Sequence, residues 1–363
     1  MILYKNGLAL IGAGLVKRDV LVNRGKIIEI AEWGGIVPDQ QTEIVDCTGK
    51  YILPALVDVH THGADGYDFN TADAEGMQKI MKFYVSHGVG TVLPTVMTDD
   101  EGRIMRQLQL ICELAKRYPE IKGIHLEGPF LSEKYCGAMP VRYLQKPDFD
   151  KFLQFQQAAQ GMIRLITVAP ELDGALEFIR KVSQTGVTVS LGHSAADGER
   201  VKSAIGAGAR SFTHWGNAMS PLDRHDLNMA GSALLYDNFC EVICDGKHVD
   251  KDVFRLLLKA KGEDKIVGIT DSIMATGLPD GDYTLAGNEV TVKNGDARLK
   301  SNGVRAGSTL DAYTGLANVV EFSGLPLYRA IKLWTVNPAK LIGLDSRIGT
   351  IEVGKDADFI MFG

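Results

Sequence analysis

The chain has 363 residues, of which 45% are hydrophobic and 23% charged, and its formal net charge at pH 7 is −6. These are the proportions of a folded globular protein, with room for one large domain of about 250 residues and a small second one. The negative charge argues against nucleic acid or an anionic membrane as the main partner. No run of about 18 apolar residues is present to cross a membrane.

The five cysteines are scattered singly, and none belongs to a CxxC pair. This usage is typical of reduced thiols in a cytosol. The N-terminus lacks a basic segment followed by an uninterrupted apolar one, so the sequence shows no signal peptide. We therefore expect a cytoplasmic protein.

Both ends of the chain have the pattern of short strands and turns. The segment RDVLVNRGKIIEIAE, residues 18–32, alternates apolar and polar residues around a turn at Asn23–Lys26, where Gly25 suits a positive φ. Residues 348–362 are predicted to form two further short strands around a turn at 354–358. We expect residues 1–53 and 340–363 to form one small β-sandwich domain that is discontinuous in sequence.

Residues 54–339 alternate between short apolar runs and helical stretches. Continuous apolar runs, without alternation, predict parallel strands that are buried on both faces. Eight such runs fit either a closed (β/α)₈ barrel or an open doubly wound sheet. Residues 279–305 are rich in Gly and Asp and are predicted to be a hairpin inserted after the eighth strand. The eight runs are 57–62, 89–95, 122–127, 164–169, 188–193, 211–214, 241–245 and 265–271.

Five of the eight predicted strands finish in side chains that bind metals or transfer protons. The carboxyl ends of all barrel strands open onto one face, where active sites lie, whereas an open sheet would spread the same residues along an edge. The coincidence therefore favours the (β/α)₈ barrel, an α/β TIM barrel. The residues are His60, His62, Glu127, His193, His214 and Asp271.

Histidine and carboxylate at these positions predict a divalent metal site. His60 and His62 are two residues apart on a strand, so both imidazoles point to the same side. Imidazole with carboxylate suits zinc or iron better than magnesium, which prefers oxygen ligands. His125 faces the same side as Glu127 and is expected either to contact the site or to support a ligand. His87, near the end of a predicted helix, is interpreted as structural.

Asp271 closes the eighth strand. It is interpreted either as the N-cap of a following helix or as a proton shuttle beside a water activated by a metal. Its position among the other strand-end residues favours the shuttle.

Several motifs together resemble one enzyme family. They are HTHG on the first strand, HLEGPFLS on the third, LGHS on the fifth, THxxNAM on the sixth, DGKHV on the seventh, TD on the eighth and the ending TVNPAKLIGLDSRIGTIEVGKDADFIMF. The sequence resembles the N-acetylglucosamine-6-phosphate deacetylases of the amidohydrolase superfamily over essentially its whole length. HLEGPF is the most specific of these motifs.

The resemblance implies a role for each matching residue. Glu127, His193 and His214 would hold the main divalent metal, and His60 with His62 a second ion in members that keep both histidines. Asp271 would be the general base and then the general acid. A homodimer is common in this family. The contacts to the sugar or its phosphate would come from Asn217, Ala218, His248, Ala306, Gly307 and Ser308.

The sequence departs from the family pattern at three places. Family members usually have a histidine near the substrate acetyl group, where this chain has Met139 after Ala138. Trp215-Gly216 replace a leucine and an aromatic residue. The arginine that pairs with the substrate phosphate in the family falls on His225, with Arg224 beside it. Arginine and histidine are not equivalent for binding phosphate, so these changes concern the substrate and leave the hydrolytic residues in place.

The expected reaction is hydrolysis of N-acetylglucosamine-6-phosphate to glucosamine-6-phosphate and acetate. Two alternatives stay open at this point. One is deacetylation of a different N-acyl amino sugar, such as N-acetylgalactosamine-6-phosphate or an unphosphorylated sugar. The other is a barrel without catalytic activity that binds a sugar, against which the retained Glu127, His193, His214 and Asp271 argue.

Overall fold

The computed structural model of the protein describes residues 1–362. Its strands are, in chain order, β1 Ile2–Lys5, β2 Leu8–Ile11, β3 Gly14–Asn23, β4 Lys26–Glu32, β5 Glu43–Asp46, β6 Tyr51–Pro54, β7 Leu56–Thr61, β8 Gly63–Ala64, β9 Tyr67–Asp68, β10 Val89–Met97, β11 Ile124–Glu127, β12 Ile163–Val168, β13 Thr188–Leu191, β14 Ser211–Phe212, β15 Phe239–Ile243, β16 Ile266–Ile269, β17 Gly281–Leu285, β18 Asn288–Lys293, β19 Asp296–Leu299 and β20 Phe359–Phe362.

Most of the longer helices begin directly after an aspartate whose side chain accepts a hydrogen bond from the first turn, a preferred N-cap. Short 3₁₀ helices lie at Glu133–Tyr135, Val141–Tyr143 and Ile331–Trp334. None of the helices within residues 1–362 is long and apolar enough to cross a membrane. The helices are α1 Ala74–Ser86, α2 Glu101–Ala115, α3 Phe149–Ala158, α4 Ala175–Gln184, α5 Gly198–Ala207, α6 Asn228–Leu235, α7 Lys251–Lys261, α8 Ala312–Ser323, α9 Leu327–Ala330 and α10 Val336–Leu341.

Eight parallel strands form the barrel. β7 and β10 to β16 pair side by side in chain order, and each corresponds to one of the eight apolar runs of the sequence. The segment after the last strand pairs with the first strand. The backbone N–H of Asp271 donates to the carbonyl of His60 at 2.9 Å, and the backbone N–H of His62 donates to the carbonyl of Ser272 at 2.8 Å. An open doubly wound sheet has no such closing contact. The predicted (β/α)₈ barrel is confirmed.

The barrel interior changes from apolar to polar along its axis. At one end Val59, Leu165 and Ile269 pack with Ile342 and Ile348, which close the barrel behind α10. Outside the strands, the helices bury a second and larger apolar layer. At the carboxyl ends of the strands the inward side chains become polar and charged. The fold thus places its polar residues on one face of the barrel, where the carboxyl ends of the strands meet.

The two ends of the chain share one sheet of seven strands, in the order β20-β6-β2-β3-β1-β5 with β4 on β3. β3 is ten residues long and takes part in both halves of the sheet, which folds over a core that includes Val20, Ile52 and Ile351. A small β domain built from both termini is confirmed as part of the fold class. The limits 1–53 and 340–363 stay a prediction.

The turn between β3 and β4 has the expected form, with Arg24 and Gly25 both at positive φ (48° and 72°). The C-terminal prediction of two strands is only half right. Residues 359–362 form β20, but residues 348–353 form no strand. The backbone near Gly354 hydrogen-bonds instead to this turn, as in the donation from the N–H of Gly354 to the carbonyl of Ile27.

The segment 279–305 contains three antiparallel strands, β17 to β19, where the sequence suggested a hairpin. Leu285, Val290 and Leu299 of this insertion pack against Met97 and Met139 above the barrel strands. The insertion therefore covers part of the face that carries the polar strand ends.

Candidate metal centre and active site

The candidate ligands come from the ends of four barrel strands. His60 lies in β7 and His62 directly after it, and Glu127 is the last residue of β11. His193 and His214 each lie two residues beyond a strand, with φ of 47° and 30°. This left-handed conformation is costly for residues other than glycine, and clusters of such residues are typical of functional sites. The turns redirect both imidazoles towards the barrel axis.

Glu127 is the centre of this cluster, and four imidazoles surround its carboxylate. Its Oε1 lies 3.1 Å from Nε2 of His193, 3.2 Å from Nε2 of His214 and 3.4 Å from Nε2 of His60. Its Oε2 lies 3.4 Å from Nε2 of His62. The atoms form two candidate ligand groups, in each of which the donor atoms lie within 4.8 Å of one another, and Glu127 belongs to both.

The donor set fits divalent metal. The Nε2 atoms of His193 and His214 lie only 3.0 Å apart, which is a spacing expected of two ligands around one ion. Nε2 of His60 is buried and has no hydrogen-bond partner of good geometry among the described residues. Nδ1 of His193 contacts the carbonyl of Tyr135 at 2.9 Å, an outer contact that commonly orients a metal-binding histidine. A buried set of neutral nitrogen and carboxylate donors is typical of zinc and iron sites.

The electrostatics of the cluster favour added positive charge. Burial by itself would raise the pKa of the Glu127 carboxyl, but His60, His193 and His214 hold it well below its ordinary value. Burial would lower the pKa of His60, but the carboxylates of Glu127 and Asp271 raise it well above the usual range. Without a cation, protonated His60 stabilises the buried carboxylates of Glu127 and Asp271. A divalent cation bound at the same place would stabilise them instead.

Asp271 lies beside both histidines of the first strand. Its Oδ1 is 3.0 Å from Nε2 of His62 and 3.6 Å from Nε2 of His60. Burial opposes its ionisation, but these imidazoles lower its pKa, so the carboxylate is available as a proton acceptor. The N-cap alternative is wrong, because the next regular element after Asp271 is β17.

His125 packs against His60 and is not one of the candidate ligands. Its Nε2 lies 2.9 Å from the hydroxyl of Thr167, and its ring packs edge-on against His60 with centroids 4.5 Å apart. Burial lowers its pKa well below the usual range, so it is neutral. His87 lies away from the cluster, where its ring stacks on Phe83 at 4.0 Å.

A cavity of about 550 Å³ opens above the candidate ligands, a size suited to a small molecule. His62, Glu127, His193, His214 and Asp271 line it, whereas His60 is buried behind them. Seven residues that the resemblance assigned to the substrate also line it. They are Ala138, Met139, Asn217, Ala218, His248, Ala306 and Gly307.

Three other residues assigned to the substrate do not line the cavity. Ser308 is buried, and its hydroxyl donates to the carbonyl of Thr270 at 2.6 Å while its backbone N–H donates to Asp271 at 2.7 Å. It therefore positions the strand end. Arg224 and His225 are exposed on the loop before α6, where the Nε of Arg224 lies 2.9 Å from Nε2 of His225. Both side chains therefore lie on the outer surface of this chain.

The departures from the family pattern have clear packing consequences. Met139 is buried in the apolar cluster beneath the insertion, and its thioether cannot donate a hydrogen bond as a histidine could. Trp215 is also buried, and its indole N–H donates to the carbonyl of Ala230 at 3.0 Å. Gly216 has a φ of 85°, a conformation that a leucine or aromatic residue rarely adopts.

The sequence interpretation missed Glu241, which is fully buried in β15 with its Oε2 3.1 Å from Nδ1 of His60. A single acidic residue inside an otherwise apolar strand was the available signal. It also missed three cations that line the cavity, Lys134, Arg298 and Arg305. Their position depends on how the insertion folds over the barrel, which no local pattern reveals.

A closed parallel barrel with a shared buried carboxylate and four histidines at its strand ends defines the class of metal-dependent barrel hydrolases. A sequence profile of the amidohydrolase family matches residues 51–363. An N-acetylglucosamine-6-phosphate deacetylase of Bacillus subtilis is 35% identical over 347 residues, covering 94% of this chain and 87% of the relative. An N-acetylgalactosamine-6-phosphate deacetylase of Escherichia coli O157:H7 is 33% identical over 321 residues, with 87% and 85% covered.

Solved structures agree with these matches. The N-acetylglucosamine-6-phosphate deacetylase of Pasteurella multocida superposes with a TM-score of 0.92 at 27% identity, covering 99% of this chain and 95% of that one. That of Mycobacterium smegmatis superposes with a TM-score of 0.91 at 30% identity and the same coverage. The chain therefore belongs to the amidohydrolase family and, within it, to the N-acetylglucosamine-6-phosphate deacetylases. It is a hydrolase.

Proposed function

We propose that this protein removes the acetyl group of an N-acetylated amino sugar 6-phosphate, most simply N-acetylglucosamine-6-phosphate, giving glucosamine-6-phosphate and acetate. The observation that carries the proposal is the buried Asp271 carboxylate, 3.0 Å from His62 and beside the Glu127 cluster, at the end of a substrate-sized cavity. Relatives that match most of the chain carry this activity in their names.

Glu127, His193 and His214 are proposed to hold one ion, and His60, His62 and Glu127 a second, with zinc or iron as the metal. The support is the pair of ligand groups that share Glu127. A divalent ion in such a set supplies Lewis acidity, which activates water and polarises an acyl carbonyl.

Asp271 is proposed to move the proton. Its lowered pKa keeps it ionised at neutral pH, so it accepts a proton from the attacking water. The amine of an amide is a poor leaving group, and the protonated Asp271 then donates to the departing nitrogen. The histidines around Glu127 are committed as ligands and are not free to shuttle protons. One residue thereby serves both proton transfers.

The remaining lining residues are proposed to hold the sugar. Asn217, Ala218 and His248 line the cavity, as do Ala306 and Gly307, which precede the strand-end contact at Ser308. His248 is oriented by Asp245, whose Oδ2 lies 2.7 Å from its Nδ1. These side chains and backbone groups supply several hydrogen-bond partners for hydroxyl groups.

The test is acetate release from four substrates, N-acetylglucosamine and N-acetylgalactosamine, each with and without a 6-phosphate, with bound metal measured on the same sample. The galactosamine compound is a specific second candidate, because one relative at 33% identity carries that name. We expect the highest kcat/KM with N-acetylglucosamine-6-phosphate. Absence of acetate release from all four by metal-loaded protein would contradict the proposal and favour a non-catalytic sugar-binding barrel.

We also propose that the protein is a cytosolic homodimer. The five cysteines are free thiols, as expected in a reducing compartment. Leu222, Leu227 and Leu235 are exposed around α6, and Leu222 and Leu227 both approach Gly231. Exposed leucines in one place are typical of a protein interface. Light scattering should give twice the chain mass, and Leu235→Glu should reduce it to the mass of one chain.

A further inference from the structure

The fourth barrel strand, β12, supplies no candidate ligand, but a carboxylate follows it. Glu171 lies three residues beyond Val168, the last residue of β12, and its side chain is half-buried. Pro170 before it is buried and has a φ restricted by its ring, so the backbone leaves the strand in a defined direction. No basic side chain of residues 1–362 forms an ion pair with this carboxylate. Neither the proposed ion sites nor the proposed proton transfer uses Glu171.

Both oxygens of Glu171 bind the turn that carries His193. The hydroxyl of Ser194 donates to Oε2 at 2.7 Å, and the backbone N–H of Ala195 donates to Oε1 at 2.5 Å. Ser194 is fully buried, and its hydroxyl oxygen also accepts from the N–H of Ala196 at 3.0 Å. Hydrogen bonds to an ionised acceptor are stronger than those between neutral groups. Glu171 thus holds the two residues that directly follow a candidate ligand.

This turn needs support from its surroundings, because His193 has a φ of 47°. A left-handed conformation of a residue other than glycine persists only where surrounding contacts hold it. The carbonyl of His193 accepts from the N–H of Ser132 at 3.0 Å, and its Nδ1 contacts the carbonyl of Tyr135 at 2.9 Å. Those contacts hold the residue itself, whereas Glu171 holds the chain after it. Without the carboxylate, we expect the turn to relax and to move Nε2 of His193 away from Glu127.

The same turn is attached to the segment that carries Asn217 and Ala218. The backbone N–H of Ser194 donates to the carbonyl of Ala218 at 3.2 Å, and the carbonyl of Ser194 accepts from the N–H of Ser220 at 2.9 Å. Asn217 and Ala218 both line the cavity. Ser194 therefore links a candidate ligand to the cavity wall through its backbone, while Glu171 binds its side chain.

We propose that Glu171 is a positioning residue for the ion that His193 binds. The carboxylate acts through Ser194 and Ala195, since Glu171 itself does not line the cavity. Removing a group that orients a metal ligand commonly lowers metal affinity by about 10–100-fold. The inference rests on the proposed function, whose ion this turn places, and it adds a residue outside the set of ligands.

The experiment measures the zinc affinity of metal-free protein by calorimetry, one site at a time. His62→Gln leaves the ligand group that contains His193, and His214→Gln leaves the ligand group that contains His60. Added to the first background, Glu171→Ala should weaken zinc binding by about tenfold or more, and added to the second by less than about twofold. Cobalt bound in the first background should show a changed visible spectrum, which a general loss of stability does not alter.

Three comparisons separate positioning from loosening of the fold. Asp173→Ala changes an exposed carboxylate of the same loop, which pairs with Lys146 at 3.1 Å, and should leave zinc affinity unchanged. Glu171→Gln should lose less affinity than Glu171→Ala, because its amide oxygen still accepts from Ala195. Ser194→Ala removes one of the two hydrogen bonds, so Glu171→Ala should cost less affinity in that background than in its presence.

The positioning role is overturned if Glu171→Ala leaves the zinc affinity and the cobalt spectrum unchanged. It is also overturned if both ligand groups lose affinity equally, or if Asp173→Ala has the same effect. If Glu171→Ala does not fold, Glu171→Gln decides, and an affinity equal to that of its background overturns the role. Acetate release is measured separately. A wild type that releases no acetate, with the expected zinc effect in Glu171→Ala, refutes only the proposed function.

Discussion

Nδ1 of His60 lies 3.1 Å from Oε2 of Glu241, and both side chains are fully buried. Glu241 accepts a hydrogen bond from Nδ1, so when a metal ion is bound the imidazole keeps its proton on Nδ1 and Nε2, on the side of Glu127, is the nitrogen that binds the ion. The same oxygen of Glu241 lies 3.4 Å from the backbone N–H of His214. One carboxylate therefore contacts residues of both candidate ligand groups and fixes the tautomer of His60.

Replacing Glu241 tests this orienting role. We expect Glu241→Gln to weaken binding of the second ion by about tenfold or more, because a neutral amide makes the imidazole a poorer donor. Binding of the first ion should change less. Titration of metal-free protein with zinc, followed by calorimetry, measures both affinities without reference to activity. Two unchanged affinities would show that Glu241 does not act on the metal site.

The two candidate ligand groups predict two ions per chain in fully loaded protein. We expect His62→Gln to reduce the metal content from about two ions to about one, since Glu127, His193 and His214 remain. Glu127→Gln should reduce the occupancy of both metal sites, because the Glu127 carboxylate belongs to both ligand groups. Elemental analysis after dialysis against metal buffers gives the counts. A single ion in saturated wild type, unchanged in His62→Gln, would refute the second site.

Asp271→Asn is expected to keep the fold and the metal but to release acetate at least about a hundredfold more slowly. Asparagine has nearly the same shape but accepts no proton at neutral pH. Turnover and metal content should be measured on the same preparation. Asp245→Asn is a useful comparison, since Asp245 orients His248 and should affect KM more than kcat. If the turnover of Asp271→Asn stays within a few-fold of wild type, another group carries out the proton transfer.

The barrel wall leaves no room for a side chain at Gly268. Gly268 lies in β16, and a Cβ atom there would overlap the indole of Trp334, which is fully buried. Gly268→Ala should lower the free energy of unfolding by about 1–3 kcal/mol, since a packed core resists added volume. Gly206→Ala is the matched control in α5, where an added Cβ meets nothing within 4 Å, and it should stabilise slightly. Equal denaturation midpoints for the two variants would contradict this packing argument.

The fold and the members of the candidate metal cluster could both be predicted from the amino-acid sequence. Apolar runs bounded by turns and aspartate N-caps are local signals, so the eight strands and their order could be predicted. Because the barrel strands are parallel, their carboxyl ends lie at one face, and the sequence alone therefore predicts that Glu127, His193, His214 and Asp271 lie close together. Alternation along one strand placed His60 and His62 on the same side.

Which side chains reach the cavity depends on the tertiary structure. Arg224 and His225 follow a family motif, yet their loop turns them outward, and Ser308 turns its hydroxyl back to the carbonyl of Thr270. Arg305 enters the cavity because the insertion folds over the strand ends, a contact between segments far apart in sequence. Strand periodicity fixes the direction of a side chain within an element. In loops the direction depends on dihedral angles and on distant packing, and only the folded chain specifies these.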